Sequence, residues 1–155
     1  MRKIAVITDA SCLIALTKID TLDLLHQLYA KLIVTDDIYA EFGEPLPEWI
    51  EIKTVINKKY QQLLELHLDK GESSAIALAM EMENVLLIID DLKARKEAKR
   101  LGLPMTGTLG ILYAAKQKGL IPALNIHVER LQAVGFRIAP NIVKELLTLC
   151  GENNQ

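Results

Sequence analysis

Two kinds of hydrophobic run alternate along this chain, short continuous runs and longer runs with helical spacing. Lys3–Thr8, Lys31–Thr35 and Asn84–Ile89 are short, apolar and rich in β-branched residues. Such runs predict strands that are buried on both faces of a sheet. Trp49–Val55 predicts a short edge strand, and Leu103–Thr106 a brief further strand. The pattern therefore predicts a sheet built from these segments.

Between these strands the apolar residues recur at the spacing of amphipathic helices. Asp36 is a candidate helix cap, Gly102 and Gly119 stand where helices stop, and Pro140 suits a first helical position. The predicted helices are Ala10–Leu16, Thr21–Tyr29, Asp36–Phe42, Lys58–Leu68, Gly71–Glu83, Leu92–Leu101, Thr108–Lys118, Ala123–Val134 and Pro140–Leu149. Because strands and helices alternate, the sequence predicts an α/β fold with a parallel sheet and helices on both faces.

Composition limits the size and the chemistry of this fold. The 155 residues suit a single domain over 1–155, and 50% are hydrophobic while only 5% are aromatic, which predicts an aliphatic core. The net charge of -2 gives no overall attraction to nucleic acid. A role with nucleic acid therefore needs a local basic patch or bridging metal ions.

Cysteine usage and hydropathy predict the compartment. Cys12 and Cys150 lie far apart in apolar settings, without a CxxC motif, which favours a reducing cytoplasmic compartment. Asp9 interrupts the apolar run near the N-terminus before it reaches the length of a signal-peptide core. No stretch is long and apolar enough for a transmembrane helix. We therefore expect a soluble cytoplasmic protein with no membrane partner.

Acidic residues stand repeatedly at strand ends and helix starts. Asp9 follows the first predicted strand directly, and Asp90 and Asp91 follow the Asn84–Ile89 strand. Ligands of open α/β sheets bind beyond the carboxyl ends of the strands, so neighbouring strands would bring these acids to one edge. Glu41, on the helix after the second strand, and Glu72, in the first turn of a later helix, are placed where they can point at the same edge.

A group of carboxylates at one edge predicts a divalent metal site, because mutual repulsion otherwise raises their pKa values. Hard oxygen ligands select Mg²⁺ or Mn²⁺, which assist phosphodiester cleavage without a histidine or serine nucleophile. Each acid also has a structural interpretation. Asp9 and Asp91 suit helix caps, Asp90 a turn, Glu72 a favourable charge at a helix start and Glu41 a solvated helix face.

Other polar residues are candidates for substrate binding. A run of basic residues follows the acidic pair and is either a phosphate-steering patch or a solvated helix face: Lys93, Arg95, Lys96, Lys99 and Arg100. Arg95 is the best candidate for contact with substrate, since it lies one turn from Asp91. Thr108 either presents its hydroxyl to a phosphate or caps its helix, and Ser11 either holds a water or simply starts a helix.

Five motifs together resemble the PIN-domain superfamily, in particular a prokaryotic branch described as predicted nucleic-acid-binding proteins of unknown function. The motifs are TDASCLIAL (8–16), VTDDIYAEF (34–42), GESSAIALA (71–79), LLIIDDLKAR (86–95) and TGTLGIL (106–112). The resemblance implies a three-layer α/β/α fold with an acidic Mg²⁺ or Mn²⁺ pocket that cleaves RNA. Its acids would be Asp9, Glu41, Glu72 and one of Asp90 and Asp91.

The resemblance also implies partners. A PIN-like ribonuclease can be the toxin of a toxin–antitoxin pair, with an antitoxin protein as partner, and the many apolar helices would allow a homodimer.

Three other classes of protein compete with a PIN-like ribonuclease. A HAD-type phosphatase would need a second Asp where this chain has Ser11. A receiver domain would need its acidic pair near the N-terminus. The rival is a non-catalytic PIN-like module for nucleic-acid binding or assembly.

Overall fold

The computed structural model describes residues 4–152, in which five parallel strands form one sheet. Lys3, the predicted start of the first strand, lies outside the described residues. The strands are β1 (Ala5–Thr8), β2 (Lys31–Thr35), β3 (Ile50–Lys53), β4 (Val85–Ile88) and β5 (Met105–Thr106).

Nine helices lie within the same range and flank the sheet. They are α1 (Ala10–Lys18), α2 (Asp23–Leu28), α3 (Asp36–Phe42), α4 (Lys58–Leu64), α5 (Lys70–Met80), α6 (Leu92–Arg100), α7 (Thr108–Gln117), α8 (Leu124–Ala133) and α9 (Pro140–Leu149). The longest, α5, has 11 residues, and no helix between residues 4 and 152 could cross a membrane.

The order of the strands across the sheet is β3-β2-β1-β4-β5. Successive strands are added outward from β1 to β3, after which the chain returns to the other side of β1 with β4. The sheet therefore reverses its direction of growth between β1 and β4, the place where ligands bind in open α/β folds. Thr8 pairs with Ile88 at the ends of these strands, so Asp9 and Asp90 follow neighbouring strands, as the sequence analysis required.

The core is aliphatic and lies on both faces of the central strands. All four residues of β1 are buried, and so are Leu32–Thr35 of β2, because these segments are apolar up to their final threonines. Helix α5 packs across β1, β2 and β4, and α7 packs beside β5. The predicted three-layer α/β/α fold with a parallel central sheet is confirmed.

The structure corrects several predicted element ends. The cap of α3 is Thr35 and not Asp36, because the buried Thr35 hydroxyl accepts a hydrogen bond from the Ile38 N–H at 3.1 Å. β5 is shorter than predicted, since Pro104 has no N–H and contributes only its carbonyl, which accepts from Leu87. Asn84 belongs to the turn before β4, where its φ of +50° is left-handed.

Candidate acidic site

Asp9 joins the ends of the two central strands. It is 3% exposed and caps α1, with its Oδ1 accepting a hydrogen bond from the Cys12 N–H at 2.9 Å. Its Oδ2 accepts a second hydrogen bond, from the Asp90 N–H at 3.1 Å. Helix capping therefore explains the role of Oδ1 only, because Oδ2 contacts the backbone just after β4.

Asp90 is held by Thr108 through both of its carboxylate oxygens. Oδ1 accepts from the Thr108 N–H at 2.9 Å, and Oδ2 accepts from the Thr108 hydroxyl at 2.6 Å. A side chain at Gly107 would place its Cβ 2.7 Å from Asp90 Oδ1, so only glycine fits this close approach. Thr108 is fully buried. It neither caps α7 nor presents its hydroxyl to solvent; it orients Asp90.

Asp91 is exposed and has a different role in the local structure. Its Oδ2 accepts a hydrogen bond from the Ala94 N–H at 3.1 Å, which makes it the cap of α6. Both Asp90 and Asp91 face the same cavity. The adjacent acids are therefore oriented by different elements, Asp90 by the start of α7 and Asp91 by α6.

Glu72 and Glu41 lie near the start of α5, together with an acid that the sequence analysis did not single out. Glu72 is the third residue of the helix and is half-buried, and Asp69 is the residue that precedes the helix. The Oε1 of Glu41 lies 2.5 Å from the position of a Cβ on Gly71, so Glu41 packs over this glycine. The spacing Asp69-x-x-Glu72 at a helix start was the signal that could have identified Asp69.

Burial and mutual repulsion shift the pKa values of these acids. Burial, and then the charge of Asp90, raise the pKa of Asp9 to about 7, against the opposing effect of its two backbone hydrogen bonds. Burial, followed by Asp91 and Asp69, raises the pKa of Glu72 to about 7. Burial and then Asp69 also raise the pKa of Glu41. The carboxylates therefore interact as one group.

A cavity of about 500 Å³ opens above this group, and we call it the acidic cavity. Four carboxylates line it: Asp69, Glu72, Asp90 and Asp91. Asp9 lies buried behind Asp90, and Ser11 is an exposed residue of the lining. Lys18 and Arg137 supply positive charge to the same lining, whereas Glu41 is not part of it.

The basic residues of α6 are distributed around the site. The guanidinium of Arg95 donates a hydrogen bond to the Ile89 carbonyl at 2.8 Å, next to Asp90, and Arg95 lines a neighbouring cavity. Arg100 forms an ion pair with Glu97. Lys93, Lys96 and Lys99 are exposed. Lys93 also lines a smaller cavity with Glu72 and Asp91. Arg95 and Lys93 are thus the basic residues of this helix that lie beside the acids, and Lys96, Lys99 and Arg100 form a solvated face.

The donor set suits Mg²⁺ or Mn²⁺ in its chemistry. Carboxylate oxygens are the ligands these cations prefer. The pKa values of Asp9 and Glu72 are raised by burial first and by neighbouring acids second, and a cation would offset both effects. In the described part of the chain, no three His, Cys, Asp or Glu side chains converge closely enough to hold a metal ion alone. Mg²⁺ is usually held by one or two carboxylates, completed by water and substrate phosphate. The residues therefore fit a cation held by a pair of acids and not a closed protein cage.

Comparison with protein families matches residues 5–152 to the PIN domain. Searches of curated proteins and of solved structures found no match. The match covers all five strands and all nine helices given above. It also includes every acid that surrounds the cavity. The chain therefore belongs to the PIN-domain family.

Proposed function

We propose that the protein is a divalent-metal-dependent endoribonuclease. The observation that carries the proposal is the meeting of carboxylates from separate segments of the chain at the reversal point of the sheet. Asp9 contacts the backbone of Asp90, and Glu72 interacts electrostatically with Asp91. Membership of the PIN-domain family supports a nuclease-type fold.

We assign the metal ligands to a pair of acids from the set Asp9, Glu72, Asp90 and Asp91. When bound, Mg²⁺ or Mn²⁺ would supply positive charge next to a phosphate and acidify nearby water. The chain's own contribution is to orient the acids, which it does with backbone N–H groups and with the Thr108 hydroxyl.

The remaining candidates receive more specific roles from their positions. Ser11 is exposed in the lining of the acidic cavity, where its hydroxyl can bind a water or a phosphate oxygen. We assign Arg95 to a phosphate, because its guanidinium is anchored beside Asp90. Thr108 is a positioning residue, since its N–H and its hydroxyl both donate to Asp90. Glu41 packs over Gly71, and we assign it to positioning the start of α5, which carries Glu72.

The test is the loss of cleavage in Asp9→Asn. The variant removes the negative charge and keeps the size of the side chain, at the loss of one of the two backbone hydrogen bonds that Asp9 accepts. We expect Mn²⁺-dependent cleavage of single-stranded RNA to fall at least about 100-fold, measured by gel electrophoresis of an end-labelled strand. Circular dichroism confirms that the variant is folded.

Asp36→Asn is the matched control. Asp36 also follows a strand and starts a helix, but it is exposed and lines none of the cavities described here. It should cleave at the wild-type rate. Equal cleavage by Asp9→Asn and the wild type would refute the assignment of the acidic site.

A second candidate function is a PIN-like module that binds nucleic acid or assembles with partners without hydrolysis. The specific observation in its favour is that no three ligands of residues 4–152 converge on a metal position. Calorimetric titration with Mn²⁺ distinguishes the two. Saturable binding supports the nuclease, whereas no binding at millimolar Mn²⁺ supports the module.

The toxin and antitoxin predictions rest on the family, and the homodimer prediction rests on the many apolar helices. The toxin role, an antitoxin partner and a homodimer stay predictions, because no contact in the described residues bears on them. RNA as the substrate is part of the proposal and is tested by the cleavage assay above.

A further inference from the structure

A second cavity adjoins the acidic cavity and has a different character. It measures about 510 Å³ and shares Asp90, Phe136 and Arg137 with the acidic cavity. Most of its remaining lining is apolar: Leu92, Met105, Leu109, Ile138, Ile142 and Leu146. We call it the apolar cavity. Its volume lies within the range of small-ligand pockets, roughly 300–1,000 Å³.

Phe136 lies where the two cavities meet, and the end of α8 fixes its position. Gly135 adopts a φ of +94°, and its N–H donates to the Gln132 carbonyl at 3.1 Å. The Phe136 N–H donates to the Leu131 carbonyl at 2.9 Å. These two bonds form a Schellman motif, which also brings the residue after the glycine against the last turn of the helix. The aromatic ring is thus positioned by an ordered turn and packs against the core.

Positive charge flanks the acidic cavity on more than one side. Arg95 and Arg137 line the apolar cavity, and Lys18 lines the acidic cavity. A third cavity, of about 240 Å³, shares Asp69, Glu72 and Asp91 with the acidic cavity and includes Lys93. The three cavities therefore adjoin one another around the start of α6. Cations on both sides of the acidic cavity suit a polyanion that spans all three.

We propose that the apolar cavity binds the unpaired base of a nucleotide that flanks the phosphate in the acidic cavity. The inference rests on the proposed function for the position of that phosphate. An aromatic ring and aliphatic walls accept the face of any base, and the neighbouring guanidinium groups of Arg95 and Arg137 can bind the adjoining phosphates or base edges. A base stacked within a duplex cannot enter the cavity, so this site requires an unpaired nucleotide.

The lining that the two cavities share favours a base over an apolar peptide. Arg137 and Asp90 belong to both linings, which suits a ligand with one apolar end and one charged end. A nucleotide has this composition, with a planar base joined to a phosphate. The property to measure is therefore whether the protein binds an RNA strand that carries bases more tightly than an abasic strand.

The experiment measures binding without cleavage. All proteins carry Asp9→Asn so that RNA stays intact, and fluorescence anisotropy in Mg²⁺ follows three labelled ligands of equal length. These are a single-stranded RNA, its duplex and a strand of abasic nucleotides. We expect the single strand to bind about ten-fold tighter than the abasic strand, and tighter than the duplex, from stacking of one base.

Two further variants test the cavity itself. Phe136→Ala removes the aromatic wall, and Ala139→Leu fills the cavity without removing a wall. Both should abolish the preference for bases and leave binding of the abasic strand unchanged. Ala133→Leu, an exposed position that lines neither of these two cavities, should keep the preference.

The outcomes separate this inference from the proposed function. Equal binding of the single strand and the abasic strand, equal binding of the duplex, or a preference that survives Ala139→Leu would overturn it. If the protein with native Asp9 cleaves no RNA while the base preference depends on the cavity, the nuclease proposal fails and the base site is supported.

Discussion

Thr108 is the residue whose role changes most between sequence and structure. Its N–H and its hydroxyl both donate to the carboxylate of Asp90, at 2.9 and 2.6 Å. Because the side chain is fully buried, this contact has no competition from solvent. The orientation of Asp90 therefore depends on the start of α7.

Thr108→Val should reduce cleavage at the acidic site. The substitution keeps the β-branched shape and leaves one oxygen of Asp90 without its donor, at a cost of about 1.5–3 kcal/mol in the free energy of unfolding. We expect kcat to fall about ten-fold or more with little change in KM, measured by RNA cleavage in Mn²⁺.

Thr108→Ser should restore kcat, because it returns the hydroxyl. Thr148→Val is the control, since the exposed Thr148 hydroxyl donates only to the Lys144 carbonyl of its own helix. Loss of kcat in Thr108→Ser equal to that in Thr108→Val would show that packing, and not the hydroxyl, matters.

Single residues were predictable from the sequence where they follow a strand directly. Asp9, Asp90 and Asp91 satisfy this condition, so their meeting depended only on whether β1 and β4 are neighbours. Phe136 and Arg137 come from a loop after α8, and nothing local in the sequence indicates that this loop returns to the sheet edge. Their place depends on long-range packing.

At the scale of elements, α7 and α8 end in the same way. Gly119 and Gly135 have φ values of +73° and +94°, and each is followed by a residue whose N–H donates to the carbonyl five positions earlier. Only the second of these turns brings its following residue to the cavities. Substitutions at Gly119 and Gly135 can therefore distinguish an effect on the stability of the backbone turn from an effect on RNA binding.

Gly135→Ala and Gly119→Ala should cost the same stability and differ in RNA binding. An alanine in a left-handed conformation costs about 1–2 kcal/mol at either position, and urea unfolding measures this loss. Gly135→Ala should also weaken binding of single-stranded RNA several-fold in anisotropy, because Phe136 shifts. Equal RNA binding by the two variants would show that the turn after α8 has no role in recognition.

The order and type of the elements followed from the sequence, whereas several of their ends did not. Apolar runs such as Leu32–Val34 are buried on both faces, so pattern and structure agree. The end of α4 at Leu64 was missed because Leu66 and His67 continue with tighter bonds to residues three positions earlier. A helical pattern alone does not distinguish that tightening from a continuing helix.

At the scale of the whole molecule, the acidic site opposes folding at neutral pH. The carboxylates of Asp9 and Glu72 are placed where burial and neighbouring acids disfavour their charged forms. The fold must therefore either keep protons on these groups or hold a cation beside them. These destabilising acids lie at the reversal point of the sheet, where open α/β folds bind their ligands.

Without divalent metal, the protein should lose stability as pH rises from 5 to 8. The pKa of Asp9 is about 7 in the folded chain, above its ordinary value of 3.8, so between these values the folded state binds a proton that the unfolded state has released. This stabilisation is lost as pH rises through about 7, and Glu72 acts in the same direction. Urea unfolding in a chelator measures it.

Asp9→Asn should flatten this dependence, because it removes one of the acids whose pKa is raised. Asp36→Asn should keep the wild-type slope. A stability that rises between pH 5 and pH 8 in the chelated wild type would contradict the pKa assignment.

The most direct test of the central claim is a crystal of the protein soaked in Mn²⁺, with the cation located by its anomalous scattering. The account predicts a peak in the acidic cavity, within coordination distance of at least two oxygens from Asp9, Glu72, Asp90 and Asp91, and no such peak in Asp9→Asn. A wild-type map with no peak there, or with Mn²⁺ bound only elsewhere on the surface, would contradict it.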